Sequence, residues 1–536
     1  MMMVYRKIWA VLLILILSVT VIAGCGKSGP GAGGGQIFRY ALEAEPATLD
    51  PAKSTGIPES MVELQVFEGL TRLDAQEQPQ PGVAEKWNIS PDGLKYTFTL
   101  RANAKWSNGE AVTAQDFVFA WKRVLNPETA SENAYMLYPL KNGQAYNENK
   151  ATAAEVGVKA LDDKTLEVTL EQPTAYFLGL TAFHAFYPVH SKTVIAQPAK
   201  WANDVSTLIG NGPFKLTKWV HSSVIEFAKN EHYWDASAVK LTKMEWPISD
   251  SQTTRLAMFE NKQADMMVEP AVVEHERLKR DGLLKIAPYL GAYYFVFNTK
   301  AAPFDKVEIR QAFSLAVSRE PLVNNVIKGG KQPAYAWVAP GLINKATGKD
   351  FRAEGGNYAV EDAAQAKKLL AAAGYPDGKG LPPVTLLYNT SELNKAVAEA
   401  VQEMWKRNLG VTVELMNQEA KVFFGTRAAG NYQVARASWI ADYADPMTFM
   451  DVFKDPTNDA KYANPAYNDL VTKAQSTVDQ ATRMQAMHEA EKILFQDAVI
   501  IPIYYTTQPY LVRPAVKGYF WSVLGVADFK TAYIQQ

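Results

Sequence analysis

The sequence predicts an α/β fold with more than one domain, and three observations support this. Residues 383–415 have the order strand, capped helix, terminating glycine and second strand, which is typical of a parallel βαβ crossover. Alternating apolar segments follow turns such as SPDG at residues 90–93, a pattern that indicates half-buried strands. About 500 residues follow the N-terminal segment, which is too many for one hydrophobic core.

The first 24 residues have the pattern of a targeting segment and are excluded from the fold. Arg6 and Lys7 precede an apolar run over residues 8–21, which is shorter than a typical transmembrane span. An anchor helix left in place is the alternative. The run ends in VIAGC, which resembles a bacterial lipobox with Cys25 as the lipid-modified N-terminus. Two acyl chains on that residue would suffice for stable anchoring, and residues 25–35 form a Gly-rich tether to the domains.

Composition excludes several classes of protein. A net charge of −1 argues against a nucleic-acid partner, which requires a basic surface. The only cysteine is Cys25, so a thiolate metal site in the mature chain is excluded. No Gly-x-Ser-x-Gly or His-Glu-x-x-His motif is present, and the six histidines contain no close pair with metal-ligand spacing. His184 and His190 flank Pro188, a loop spacing that indicates a structural role. We therefore expect no catalytic residues, no metal and no cofactor.

The elements follow in order along the chain. The N-terminal half is predicted to be rich in strands, and Thr113 is the expected N-cap of its clearest amphipathic helix. In the C-terminal half, Ser391 is the expected cap and Gly410 the expected end of one helix. The predicted strands cover residues 38–42, 94–100, 166–170, 214–220, 383–388, 411–415, 432–440 and 500–505, and the predicted helices cover 59–67, 113–125, 307–327, 392–408 and 482–495.

The strand over residues 432–440 carries the strongest candidate site. Arg436 lies within it, and a guanidinium inside a domain requires an anionic partner. Asp442 and Asp445 follow directly, before Pro446 ends any regular element. Open α/β domains place ligands at the carboxyl ends of strands, and a peptide carries an ammonium at one end and a carboxylate at the other. The alternatives are an Asp that caps its own backbone and an Arg in an internal ion pair.

An ordered series of motifs resembles the family-5 extracellular solute-binding proteins, and the oligopeptide-binding lipoproteins of ABC importers are the nearest branch. The resemblance runs from residue 36 to the C-terminus. Its motifs are EPATLDP at 45–51, EGL at 68–70, VAEKW at 83–87, WSNGE at 106–110 with Asp116–Phe117, GNGPF at 210–214, FNT at 297–299, PF at 303–304, IRQAF at 309–313, and Trp439 with Asp442, Tyr443 and Pro446.

The resemblance implies a fold like that of type II periplasmic binding proteins, with two lobes, a hinge and an extra small domain (the three-domain arrangement of cluster C). The resemblance also implies the domain boundaries. We expect a signal peptide at residues 1–24, a tether at 25–35, lobe I at 36–72, 206–288 and 503–536, a small domain at 73–205 and lobe II at 289–502.

The resemblance also implies the roles of individual residues. Asp442, the acidic residue of Trp-x-x-Asp-Tyr, would hold the peptide ammonium, and Arg436 would contact the carboxylate of short peptides. Many members carry a Tyr where this chain has Asn133, ahead of Tyr135. The further expected ligand contacts are Tyr135, Ser438, Trp439, Ile440 and Tyr443.

The implied protein is a monomeric, lipid-anchored receptor on the outer face of the cell membrane of a Gram-positive-type bacterium. It would bind oligopeptides in an interlobe cleft and deliver them to an ABC permease. Receptors for nickel chelates, haem or sugars, and an enzyme acting on cell-wall peptides, are the alternatives. The sequence leaves open peptide length and sequence, the permease, a nutritional or signalling role, and whether Arg436 contacts the ligand or an internal carboxylate.

Overall fold

The structure, a computed structural model, describes residues 36–454 and 458–535. The predictions for the signal peptide, Cys25 and the tether lie outside these residues. The described strands are β1 (Ile37–Ala41), β2 (Thr71–Leu73), β3 (Pro79–Pro81), β4 (Ala84–Ile89), β5 (Lys95–Leu100), β6 (Val158–Asp162), β7 (Thr165–Thr169), β8 (Phe214–Val220), β9 (Val224–Lys229), β10 (Lys243–Pro247), β11 (Met266–Val268), β12 (Leu284–Phe297), β13 (Gln332–Pro333), β14 (Ile343–Asn344), β15 (Lys349–Asp350), β16 (Val384–Asn389), β17 (Val413–Gln418), β18 (Val434–Ile440), β19 (Ile500–Val512), β20 (Val516–Lys517), β21 (Phe520–Trp521), β22 (Ala527–Asp528) and β23 (Tyr533–Ile534).

The helices of the same residues lie mostly on the faces of the sheets. They are α1 (Ile57–Val66), α2 (Ala114–Leu125), α3 (Gly143–Asn147), α4 (Phe177–Leu180), α5 (Ser191–Ala196), α6 (Gln252–Glu260), α7 (His275–Arg280), α8 (Val307–Leu315), α9 (Arg319–Pro321), α10 (Phe351–Gly355), α11 (Ala363–Ala372), α12 (Glu392–Leu409), α13 (Ala420–Ala428), α14 (Met447–Met450), α15 (Pro465–Ser476) and α16 (Gln480–Gln496).

One long mixed sheet organises the described chain. Its strand order is β17-β16-β18-β12-β19-β11-β1-β10-β9-β8, and β13 also pairs with β19. The strands β11, β1, β10, β9 and β8 form one half, and β18, β16 and β17 form the other. β12 and β19 are long enough to run through both halves, so they are the connection about which the halves can move.

The pairing of β12 with β19 is interrupted where the two halves meet. Residues 284–288 of β12 pair with residues 507–511 of β19, and pairing resumes at Ala292 with Tyr505, with a second register shift between Tyr293 and Tyr294. At the interruption, the Thr506 hydroxyl donates to the Tyr289 carbonyl oxygen over 2.8 Å. Gly291 lies in the same place, and a Cβ there would sit 2.5 Å from the side chains of both Ile440 and Thr506. A bulge at this point is a natural hinge.

The second half contains the predicted crossover. β16 and β17 pair in parallel, and α12 connects them. The Ser391 hydroxyl accepts from the backbone N–H of Asn394 at the helix start, and Gly410 ends the helix with a φ of 73°. Separate hydrophobic clusters pack on the two faces of this half, one around Trp337 and Phe449 and the other around Phe313 and Trp405.

A separate four-stranded sheet, β4-β5-β7-β6, lies between β3 and β8 in the chain, with α2 inserted between β5 and β6. Thr113 is the N-cap residue of α2, as predicted, and its backbone N–H donates to the Asp116 carboxylate over 2.9 Å. The domain boundaries derived from the sequence remain predictions.

One predicted helix is wrong in its extent. Residues 307–327 do not form a single helix but α8, α9 and a π-helical turn over Leu322–Ile327. Pro321 cannot donate the backbone hydrogen bond that a continuous helix needs. The buried Arg319 side chain uses the break, because it donates to the carbonyl oxygens of Val317 and Pro502. The break thus exposes the Val317 carbonyl oxygen to the guanidinium, and β19 supplies the Pro502 carbonyl oxygen.

Candidate functional site

A cavity of about 390 Å³ lies where the carboxyl end of β18 faces the first half of the fold. Segments far apart in the sequence line it, which is typical of a cleft between lobes. They are residues 55–79, Asn133 and residues 175–187 beside the four-stranded sheet, residues 342–345 and 440–446 of the second half, and residues 520–528 near the C-terminus.

The strand leading into the cavity has an edge without a strand neighbour along most of its length. β16 pairs with β18 only at Val434 and Ala435, whereas β12 pairs with β18 from Val434 to Ile440. Within the described residues, the β16-side edge of residues 436–440 therefore faces no strand. Such an edge can accept an extended peptide backbone, whose N–H and C=O groups are the same in every sequence.

Asp442 lines the cavity just beyond β18. Its backbone N–H donates to the Thr448 hydroxyl over 3.2 Å, a contact that does not involve the carboxylate. Burial raises the pKa of Asp442, and the hydrogen bond from Tyr135 opposes that effect. No Lys, Arg or His of the described residues lies within 4 Å of this carboxylate. Asp442 is thus a partly desolvated carboxylate that lacks a protein cation.

Asp445 differs from Asp442 in this respect. Its carboxylate forms a two-pronged ion pair with the buried Arg483, with one contact of 2.8 Å, and also accepts from the backbone N–H of Met447. The internal roles considered from the sequence thus apply to Asp445. The two carboxylates are three residues apart, and only Asp442 is available to a ligand.

Tyr443 connects the end of β18 to the segment that carries α4. Its ring stacks on that of Tyr176 with centroids 4.7 Å apart and planes inclined by 7°. The Arg483 guanidinium lies over the Tyr176 ring, with its central carbon 5.4 Å from the ring centroid. The Tyr443 hydroxyl donates to Asp451, whose pKa burial raises to about 6. This aromatic contact joins opposite walls of the cavity.

Arg436 has no internal carboxylate partner within 4 Å among the described residues. Its guanidinium carbon lies 4.9 Å from the centroid of the Tyr293 ring, and its buried Nε atom has no hydrogen-bond partner. Arg436 also does not line the cavity described above. The internal ion pair considered from the sequence is absent from this part of the chain, and contact with a ligand stays a prediction.

The other predicted residues fall into two groups. Ile440 and Tyr443 line the cavity. Ser438 and Trp439 lie on β18 outside the lining, and Trp439 packs against the hydrophobic cluster around Trp337. Tyr135 is 44% exposed and interacts with Asp442, although it does not line the cavity itself. The structure thus brings Tyr135 and Asp442 together across about 300 residues of sequence.

Sequence reasoning missed several residues of the lining. His184, interpreted as structural, lines the cavity and contacts Asn133 over 3.2 Å, and burial lowers its pKa to about 4. Lys345 and Tyr176 also line the cavity. A lysine in a polar hairpin and a tyrosine after a Pro-Thr-Ala stretch carry no local pattern that would have identified them.

The described residues contain no group of three or more His, Cys, Asp or Glu side chains arranged to hold a metal ion. Over the same ranges, no helix has the length and apolar character required to span a bilayer.

Comparison with known proteins gives one family match and several full-length relatives. The model of the bacterial extracellular solute-binding proteins, family 5 (middle), matches residues 78–461. The dipeptide-binding protein DppE of Bacillus subtilis is 38% identical over 98% of this chain and 99% of that protein. The oligopeptide-binding protein OppA of the same species is 36% identical over 99% and 100%.

Solved structures give the same result. The unliganded open form of the murein tripeptide-binding protein MppA superimposes with a TM-score of 0.80 at 35% identity, covering 95% of this chain and 99% of that one. The Haemophilus influenzae OppA complex with the peptide RPPGFSPFR gives a TM-score of 0.73 at 34% identity, covering 94% and 100%.

Proposed function

Because the chain belongs to the bacterial extracellular solute-binding proteins of family 5, we propose that it is a receptor that captures oligopeptides and delivers them to an ABC permease. Proteins of this family are transport receptors, so the chain is a binding protein and not an enzyme. Membership also confirms the predicted α/β class with two lobes, a hinge and an extra small domain. The two full-length relatives DppE and OppA of Bacillus subtilis are peptide-binding proteins, which supports a peptide as the ligand.

The observation that carries the proposal is the carboxylate of Asp442. It lies in the cavity at the end of a strand with an open edge, it is partly desolvated, and it has no protein cation within 4 Å among the described residues. A peptide ammonium would supply the missing charge, while the open edge pairs with the peptide backbone. Tyr135 donates to the same carboxylate and would keep it oriented.

The mechanism follows from the two halves and their hinge. When a peptide is bound to β18, the opposite wall of the cavity would close over the peptide. Closure would remove both the peptide and that wall from water. Side chains of the peptide can remain in hydrated space, where water adapts to each one. The closed form is then the state that a permease would recognise.

The remaining parts of the proposal concern the protein's place in the cell. Lipid modification of Cys25 would hold the receptor at the outer face of the membrane, with residues 25–35 as the tether. We propose that it acts as a monomer in a Gram-positive-type bacterium. The lipid anchor, the monomeric state and the type of bacterium are all inferred from the sequence.

Calorimetry on four combinations of protein and peptide tests the central assignment. The wild type and Asp442→Asn are each titrated with one tripeptide, Ala-Phe-Ala, carrying a free or an acetylated N-terminus. Loss of one partner of a desolvated charge pair costs about 2–5 kcal/mol, which corresponds to about 30-fold or more in affinity. Acetylation should weaken the wild type this much and Asp442→Asn far less, because the two changes remove one interaction.

The opposite outcome is additivity of the two losses, which would show that Asp442 does not hold the ammonium. Native mass spectrometry of protein purified without refolding provides an independent test. Co-purifying ligands should have the masses of peptides, and masses of metal chelates, haem or sugars would contradict the proposal.

A further inference from the structure

Most of the charged groups that line the cavity already have ion-pair or hydrogen-bond partners within the protein. Glu68, Arg72 and Asp528 form a buried network in which Arg72 Nε lies 2.9 Å from Asp528. Asp445 pairs with Arg483. Glu77 accepts from the backbone N–H of Val523 over 2.7 Å and from the Ser522 hydroxyl over 3.1 Å. Each of these groups therefore has at least one strong partner within the protein.

Two charged groups of the described lining remain. One is the carboxylate of Asp442, and the other is the ammonium of Lys345. No carboxylate of the described residues lies within 4 Å of the Lys345 ammonium. The nearest opposite charges are already in use, because Asp445 is bound to Arg483 and Asp74 accepts from the backbone N–H groups of Gln76 and Gln78.

The backbone that carries Lys345 is held in place. The residue lies in the tight hairpin between β14 and β15. Asn344 is 5% exposed, and its side chain accepts from the backbone N–H of Ala346 over 2.9 Å and donates to Glu354 over 2.7 Å. The Gly348 N–H donates to the Asn344 carbonyl oxygen over 2.8 Å. Lys345 is therefore a cation on a defined support.

The side chain of Lys345 remains exposed to solvent, and its partial enclosure by the cavity walls lowers the pKa of the ammonium, with Asp445 as the largest opposing influence. The ammonium is thus accessible from the cavity and is not held in an ion pair by the described residues. A ligand carboxylate would supply that ion pair, as a ligand ammonium would for Asp442. The cavity thus presents the carboxylate of Asp442 and the ammonium of Lys345, neither of them in an ion pair among the described residues, to a molecule that carries both charges.

We propose that Lys345 is a specificity-determining residue that pairs with a carboxylate of the bound peptide. This inference rests on the proposed function and extends it, because it selects peptides that carry an anionic group within reach of the hairpin. That group is either the C-terminal carboxylate or the side chain of an Asp or Glu. The two sources share one chemistry and are separated by experiment.

The first pair of peptides, Ala-Phe-Ala as free acid and as C-terminal amide, tests the terminal carboxylate. The second pair, Ala-Glu-Ala amide and Ala-Gln-Ala amide, tests a side-chain carboxylate. Each peptide is titrated by calorimetry into the wild type, Lys345→Gln, Lys345→Glu and Lys349→Gln. Lys349 is the matched control, since it lies in the same hairpin and is exposed like Lys345 but does not line the cavity.

For one of the two pairs, loss of the carboxylate should weaken binding to the wild type and to Lys349→Gln by about ten-fold, since each 1.4 kcal/mol is a factor of ten. The same change should have less than about two-fold effect in Lys345→Gln. In Lys345→Glu the order should reverse, so that the uncharged peptide binds more tightly than the anionic one. Ordinary thermal unfolding of each variant verifies that it is folded.

Three results overturn the inference. If both pairs keep the same affinity ratio in Lys345→Gln as in the wild type, Lys345 does not contact a ligand carboxylate, although the proposed function stands. If no peptide binds the wild type at all, the proposed function and this inference fail together. A ten-fold effect that is lost equally in Lys349→Gln would show general attraction by charge and would also contradict the inference.

Discussion

Gly291 lies where the two halves of the large sheet meet, and its replacement by alanine tests the hinge. An ideal Cβ at this position would sit 2.5 Å from Ile440 Cδ1, 2.5 Å from Thr506 Oγ1 and 2.9 Å from the Trp439 carbonyl oxygen. The two side chains can yield only by leaving their present positions, and the carbonyl oxygen belongs to the backbone of β18. Ile440 also lines the cavity, so the strain reaches the site.

The expected magnitude comes from two opposing effects. Alanine in place of glycine stabilises by about 0.4–1 kcal/mol through the entropy of the unfolded chain. Overpacking in a region without free space costs about 1–3 kcal/mol. The second effect is larger, so Gly291→Ala should lower the free energy of unfolding in urea by roughly 1–2 kcal/mol. It should also weaken peptide binding, because Ile440 must move.

Two variants make this test specific. Gly425→Ala is the control, because Gly425 lies exposed in α13 with no heavy atom within 4 Å of its added Cβ, and alanine there should stabilise by about 0.5–1 kcal/mol. Ile440→Val removes the clashing Cδ1 atom, so the double variant Gly291→Ala, Ile440→Val should recover part of the loss. The contact with the Trp439 carbonyl remains and prevents full recovery. Stabilisation by Gly291→Ala similar to that of Gly425→Ala would refute the reasoning.

Three further predictions concern closure, pH and the membrane. Tyr176→Ala removes the stack on Tyr443 and should favour the open form by about 0.5–1.5 kcal/mol, seen as a larger radius of gyration by X-ray scattering at subsaturating peptide; an unchanged radius would contradict it. Burial raises the pKa of Asp442, and the peptide ammonium requires the charged carboxylate. The affinity measured by calorimetry should therefore fall as the pH decreases through that raised pKa, and the fall should begin at a higher pH than for an ordinary Asp. An equal decline in Asp442→Asn would assign the effect to other groups. Cys25→Ala should release the protein from the membrane fraction or leave the precursor unprocessed, and normal processing with unchanged retention would exclude the lipid anchor.

The sequence by itself determined the class of the fold and much of its local structure. The β16–α12–β17 crossover, the Ser391 cap, the glycine stop at residue 410 and the strand at 214–220 all occur as predicted. These features depend on neighbours in the chain, because periodicity, caps and positive φ angles are local properties. The predicted helix over residues 307–327 is interrupted near Pro321 and the buried Arg319, and one acceptor of Arg319 is the Pro502 carbonyl oxygen of the distant strand β19.

The candidate site likewise was predictable only as far as it depends on residues that are neighbours in the chain. Asp442 and the strand before it were found from sequence because the charges lie next to each other in the chain. The sequence does not show which of Asp442 and Asp445 is available to a ligand. The fold decides this, because it brings Arg483, 38 residues beyond Asp445, into an ion pair with Asp445. The same is true of Tyr135 beside Asp442, of Tyr176 against Tyr443 and of the unpaired Lys345. The sequence shows which residues are charged, but only the tertiary structure determines whether each charge has a partner within the protein.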